Sequence, residues 1–264
     1  MISPVSLSSI GLIVGFLVGL TGMGGGALMT PTLILIGLAP LHAVGLDLAY
    51  MSITKAFGSF LHFRKGHIDF RSAKFLLAGS LTAALGGFFI LKYMLATYNH
   101  DSINNIIGIA LAIVVLSVAL INLVKIFLDR QQPAEDILLS SNRKISLLLA
   151  GGLVGLIIQF TSVGSGIIVT TFLMTFLTSH RVVGTDIFYG FVVTTFCALL
   201  HWNMGNVDFS MLLPLVLGSL PGMYLGALTC HRVPTRPLRG ILILVLIVVS
   251  IVLLQQRAGA LFGS

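Results

Sequence analysis

Apolar residues run along this chain in ten stretches, at 5–21, 25–39, 42–63, 73–94, 103–127, 145–160, 165–178, 183–202, 210–229 and 238–255, with short polar segments between them. Most approach the ~20 residues that a helix needs to cross a hydrocarbon core of about 30 Å. None alternates apolar and polar positions with a period of two, so the pattern is not that of a β-barrel. Lipid offers no partner to backbone N–H and C=O groups, which leaves helices. The second and seventh stretches are short: ~14 residues reach only about 21 Å as a helix. Each follows a glycine-rich break, "GMGGG" at 22–26 and "SVGSG" at 162–166. Each break with its flanks predicts a helical hairpin that turns within the membrane. The expected fold is an all-α integral membrane bundle of about eight to ten membrane segments with two Gly-broken hairpins.

The chain repeats itself. "GLIVGFLVGLTGMGGGALMT" (11–30) matches "GGLVGLIIQFTSVGSGIIVT" (151–170) at an offset of 140, with Gly11, Gly15, Thr21, Gly24, Gly26 and Thr30 meeting Gly151, Gly155, Thr161, Gly164, Gly166 and Thr170. After the loss of one residue the offset is 139. "VGLDLAY" (44–50) then meets "VGTDIFY" (183–189), and His62, Asp69 and Gly79–Ser80 meet His201, Asp208 and Gly218–Ser219. These matches divide the chain into a first repeat at 1–128, a polar linker at 129–144 and a second repeat at 145–264.

Composition supports the membrane reading. Only 9% of the 264 residues are charged, against roughly 25% in an ordinary soluble domain. The net charge of +7 is not a nucleic-acid signal here, because the basic residues sit in short loops, where they act as orientation signals. The loop at 64–74 carries Arg64, Lys65, Arg71 and Lys74, and its counterpart at 203–210 carries no Lys or Arg. The first is expected in the cytoplasm and the second outside, so the repeats are expected to be inverted. The linker at 129–144 and the segment at 230–239 are also basic and expected inside. No Lys or Arg precedes Lys55, so no basic leader region is visible and the first segment is expected to be retained.

Inverted repeats with interrupted helices at corresponding positions point to a transporter's substrate site. A helix that starts at such a break leaves its first N–H groups unpaired at the positive end of its dipole, which favours an anion. The candidate substrate-binding residues are therefore Thr21, Gly22, Gly24, Gly25 and Gly26 at the first break and Thr161, Ser162, Gly164, Ser165 and Gly166 at the second. Thr30 and Thr170, about one turn further on, are weaker candidates. Tight helix packing through small residues is the competing explanation for the glycines.

These stretches, with "TGMGGGALMTP", "FTSVGSG", "GNVDF" and "LGSLPGMYLGA", resemble the bacterial sulfite exporter TauE/SafE family over nearly the whole chain. The resemblance implies a multi-pass inner-membrane permease for small anions, including sulfite and organosulfonates, usually described as an exporter. The second break departs from the first: Gln159 stands opposite Gly19, and Ser162 and Ser165 stand opposite Gly22 and Gly25. It is the more polar and the less flexible of the two, so the halves are not expected to play equal roles.

Ionisable residues inside a span are functional candidates. Lys55 lies about 12 Å from the predicted cytoplasmic end of its segment, and snorkelling is its alternative role. Thr194 occupies the matching position in the second half. Asp47 and Asp186 read first as helix caps, with proton coupling or pairing with Lys55 as the alternative. Asp47 and Lys55 share a helix face two turns apart, so any pairing must involve another helix or water. His62 and His201 are candidates for coupling or for a structural role at the interface. Asp69 and Asp208 read as caps or turn residues. Cys197 and Cys230 have neither metal nor redox spacing. "GMGGGALMT" lacks the Gly-Lys-Ser/Thr ending of a P-loop, and HExxH, GxSxG and paired cysteines are missing. No catalytic residue, metal or cofactor is expected. The expected partners are a small anionic substrate and membrane lipid. A homo-oligomer stays open, and a channel or permease for cations, metals or other organic anions is the rival reading.

Overall fold

The computed structural model describes residues 3–21, 26–127, 140–229 and 235–262. Among these, ten helices follow the ten apolar stretches one for one: α1 (Pro4–Thr21), α2 (Gly26–Leu35), α3 (Pro40–Arg64), α4 (Phe70–Thr97), α5 (His100–Phe127), α6 (Ser141–Thr161), α7 (Ser165–Leu173), α8 (Ser179–Asn203), α9 (Phe209–Thr229) and α10 (Thr235–Phe262). Five of them, α4, α5, α6, α8 and α9, are long and apolar enough to cross a membrane. The outer surface is apolar: Phe89, Ile113, Leu149, Leu217 and Ile251 are all exposed. Asp47, Thr30, Ser162, His201 and Gln159 are fully buried. Apolar residues outside and polar residues inside mark a multi-pass membrane protein.

The helix starts follow local rules. Proline opens α3, at a position where its missing N–H costs nothing. Asp69 caps α4 by accepting the Ser72 amide (3.1 Å), and Asp208 accepts the Ser210 amide (2.8 Å) just before α9, as the sequence leads one to expect. Asp47 and Asp186 are different. Each is the eighth residue of its helix, α3 or α8, about one turn past the last of the free N–H groups. The cap reading fails for both, because α3 and α8 begin further upstream than the apolar pattern indicates.

The helices pair across the repeats. α1 lies along α9 and α4 along α6, while α3 packs on α8 and α5 on α10. The first two are equivalent pairs under the repeat, and so are α2 on α3 and α7 on α8. Small residues let these helices approach closely. A Cβ added at Gly15 would lie 2.5 Å from the Ser219 carbonyl oxygen, and one at Gly151 would lie 2.9 Å from the Leu76 Cα. α3 and α8 run antiparallel: Gly45 abuts Asn206, the Ser52 and Thr195 hydroxyls bond (2.7 Å), and Gly184 abuts His67. Equivalent helices running in opposite directions are what inverted repeats require.

Candidate functional site

The start of α2, at Gly26, meets the second break beside the α3–α8 crossing. α6 ends at Thr161, and the next residue, Ser162, adopts left-handed backbone geometry (φ 60°). For a residue with a side chain this costs about 1–3 kcal/mol, and it persists where the surroundings fix it. Gly164 follows at φ 123°, and α7 starts at Ser165. The left-handed turn aims the Ser162 hydroxyl at Asp47 Oδ2 (2.6 Å) and brings it 2.6 Å from the Thr30 hydroxyl. Thr30 Oγ1 in turn lies 2.6 Å from the same Asp47 Oδ2. All three residues are fully buried. Gly26, the first residue of α2, allows the approach: a Cβ there would sit 2.7 Å from the Ser162 carbonyl oxygen, 2.9 Å from Met51 Sδ and 3.2 Å from Asp47 Oδ2. Asp47 Oδ1 has no hydrogen-bond partner among the described residues.

Lys55, two turns along α3, lies over α8. Its ammonium interacts electrostatically with Asp186 and, second, with Asp47. Gly190 supplies the space: a Cβ there would stand 3.1 Å from Lys55 Cδ and closer still to Nζ. The other helix that sequence reasoning required for a Lys55 pairing is therefore α8. The repeat makes the asymmetry plain. Asp47 is met by Thr30 and Ser162, whereas the positions equivalent to these around Asp186 are Thr170 and Gly22. Asp186 has Lys55 instead, whose own counterpart is Thr194.

Around this centre lies a second pair of equivalent contacts. Tyr50 and Ser219 hydroxyls are 2.5 Å apart, and Tyr189 and Ser80 hydroxyls 2.6 Å apart. Both bonds join one half to the other, and both tyrosines are buried. Sequence reasoning missed them, although both tyrosines end the "VGLDLAY" and "VGTDIFY" matches and both serines lie in the matching "GS" pairs. At one end of the crossing His201, fully buried, bonds through Nε2 to the Gln159 carbonyl oxygen (2.9 Å). At the other, the rings of His62, His67 and His180 follow each other with centroids 5.6 and 5.8 Å apart. His62 and His201 thus stand at opposite ends of the α3–α8 pair, His201 at the end nearer Asp47, where it holds α6 three residues before Ser162. A cavity of about 530 Å³ opens between the α2–α3 and α8–α9 turns, walled by His42, Asn206, Asp208 and Met211 and reaching Leu46, the residue before Asp47. At its rim the hydroxyl and amide of Ser210 hold the Asp208 carboxyl below the usual carboxylate range.

The structure brings together Gly26, Ser162 and Asp47 of the sequence candidates and adds Thr30 to them, while Lys55 faces Asp186 further along the α3–α8 pair. Thr161 turns its hydroxyl onto its own helix, donating to the Ile157 carbonyl (2.6 Å). Gly166 accepts from the Thr170 hydroxyl within α7. Gly22, Gly24 and Gly25 lie outside the described residues, as do the side chains of Thr21 and Ser165.

Comparison with known proteins agrees with this architecture. The family model "Sulfite exporter TauE/SafE" matches residues 7–253. Three Bacillus subtilis (strain 168) proteins are similar along nearly their whole length. "Probable membrane transporter protein YjnA" is 38% identical over 248 residues, 92% of this chain and 97% of that protein. The proteins of the same description named YdhB and YunE are 26% and 25% identical, covering 92% and 96% of this chain and 96% and 98% of theirs. No solved structure matches the chain.

Proposed function

Since this chain belongs to the sulfite exporter TauE/SafE family and is a multi-pass membrane transporter, we propose that it carries small anions, such as sulfite or organosulfonates, out of the cell across the inner membrane. One observation carries the reading. The start of α2 and the second glycine break meet at the α3–α8 crossing, where Lys55 of α3 faces the second half. The N-terminus of α7, at Gly164–Ser165, adds the positive end of a helix dipole. Breaks of this kind at equivalent places in inverted repeats are where transporters hold substrate. Each repeat, 1–128 and 145–264, supplies one break, and the linker at 129–144 faces the cytoplasm. The cavity beneath the α2–α3 turn is then the outer vestibule.

The test is efflux from proteoliposomes loaded with labelled sulfite or isethionate. The parent protein releases the anion, and Lys55→Met slows release at least tenfold while the purified protein keeps its helical circular-dichroism spectrum. Folded Lys55→Met that releases both anions at the parental rate removes Lys55 from the anion path and overturns the site.

A further inference from the structure

We propose that Asp47 is the protein's proton carrier: it holds a proton on Oδ2 in a closed ring with the Thr30 and Ser162 hydroxyls, and gives it up when the two breaks part. This rests on the transport reading above and adds the coupling to it.

The argument is a count of protons. Thr30 Oγ1, Ser162 Oγ and Asp47 Oδ2 form a triangle with every side 2.6 Å. Each side at that length requires a hydrogen between the oxygens. A hydroxyl brings one proton and an ionised carboxylate none. With Asp47 ionised there are two protons for three sides, and one side is a bare contact between lone pairs. A proton on Oδ2 gives three donors for three sides. Each oxygen then donates once and accepts once, in a ring whose bonds reinforce one another.

Two further observations agree. Asp47 Oδ1 is buried and has no hydrogen bond among the described residues. An ionised carboxylate left so is costly, whereas the carbonyl oxygen of a neutral acid forfeits much less. Charge balance points the same way. The ionisable groups facing Asp47 are Lys55 and Tyr50 on α3 and, through Lys55, Asp186 on α8; α2 and α6 present the hydroxyls of Thr30 and Ser162. Lys55 and Asp186 neutralise each other, so an ionised Asp47 leaves one net negative charge in the membrane, facing an incoming anion.

The ring also links the proton to conformation. Thr30 follows the first break and Ser162 lies in the second, so the ring closes only while the breaks touch. Binding a proton at Asp47 favours that contact, and separating the breaks strips Asp47 of both partners and favours release. A monoanion and a proton that travel together cross the membrane without moving net charge.

The site can be examined without a substrate, by infrared spectroscopy of the purified protein in lipid. The carboxylic acid C=O band, distinct from the carboxylate bands, is expected near neutral pH. It should be lost in Asp47→Asn and kept in Asp186→Asn. Ser162→Gly, which tolerates the left-handed turn but removes one ring member, should move the band. Three results overturn the proposal: no such band until strong acid, a band that survives Asp47→Asn, or a band abolished by sodium together with saturable sodium-22 binding that Asp47→Asn removes. The transport arm uses isethionate, whose sulfonate does not titrate in this range. The parent should move one proton with each isethionate, and Asp47→Asn should lose the proton movement. Isethionate that moves without a proton overturns the coupling. An Asp47 band in vesicles that move neither isethionate nor sulfite keeps the proton site and defeats the transport reading.

Discussion

Neighbouring glycines on α6 provide a sharp test of the helix packing. Gly151 and Gly152 are adjacent and face different surroundings. A Cβ at Gly151 would lie 2.9 Å from both the Cα and the carbonyl carbon of Leu76 on α4, and nearer still to its oxygen. Ordinary contact begins at about 3.4 Å, so Gly151→Ala forces α4 and α6 apart by at least about 0.5 Å. Interdigitated helices do not absorb such a shift freely, and overpacking of this kind costs about 1–3 kcal/mol. A Cβ at Gly152 meets only the Gly79 oxygen at 3.7 Å and the Ala83 methyl at 4.0 Å. Gly152→Ala should be neutral or stabilising by up to ~1 kcal/mol, because alanine is the better helix former. Unfolding of both variants in mixed micelles, followed by circular dichroism across a range of denaturing detergent, reads the difference. Separation of α4 from α6 also loosens Ser80, which bonds the Gly151 carbonyl oxygen (2.8 Å) and Tyr189, so transport should fall in Gly151→Ala alone. Equal stability for the two variants would refute the close approach of these helices.

Other outcomes follow from the core. Lys55→Met should destabilise the protein, because the buried Asp186 loses the attraction of the Lys55 charge, and Lys55→Met with Asp186→Asn should recover most of that in the same unfolding assay while transport stays lost. Tyr50→Phe should cost about 1–3 kcal/mol, because Tyr50 is the described partner of the Ser219 hydroxyl. Tyr189→Phe should cost less, since Ser80 keeps the Leu76 and Gly151 carbonyl oxygens. Asp208 has its carboxyl held low by Ser210; a group lowered on folding adds stability above its unfolded pKa and loses it as pH falls through the folded one. Acid titration of unfolding should therefore show a small loss below the ordinary carboxylate range that Asp208→Asn removes.

Much of the architecture was legible in the sequence. The ten apolar stretches became ten helices among the described residues. The site was legible in part. Ser162, Gly26 and Lys55 were singled out because broken helices and charge inside a span are rare, and the structure places Ser162 and Gly26 against Asp47. Asp47 was read first as a cap, because an apolar pattern does not register the turn of α3 that precedes it, opened by Pro40. Thr30 was discounted for its distance along the chain from the break. Only the left-handed turn at Ser162, which belongs to the other half, brings a partner to it. Tyr50 and Tyr189 carried a signal in the repeat, but an aromatic residue on a membrane helix reads as filling until its hydroxyl is seen to have a partner.

The pairing of α1 with α9 bears on how the chain is made. Ser8 bonds the Pro214 carbonyl oxygen (3.1 Å), a contact that spans 206 positions. As the polypeptide leaves the ribosome, α1 enters the bilayer long before its neighbour exists, and its small-residue face must wait in lipid for nearly the whole of synthesis. Contacts of such separation form late and slowly. Biogenesis of this protein is therefore most vulnerable at its beginning, where an unpartnered first helix is exposed to membrane proteases until the last helices arrive.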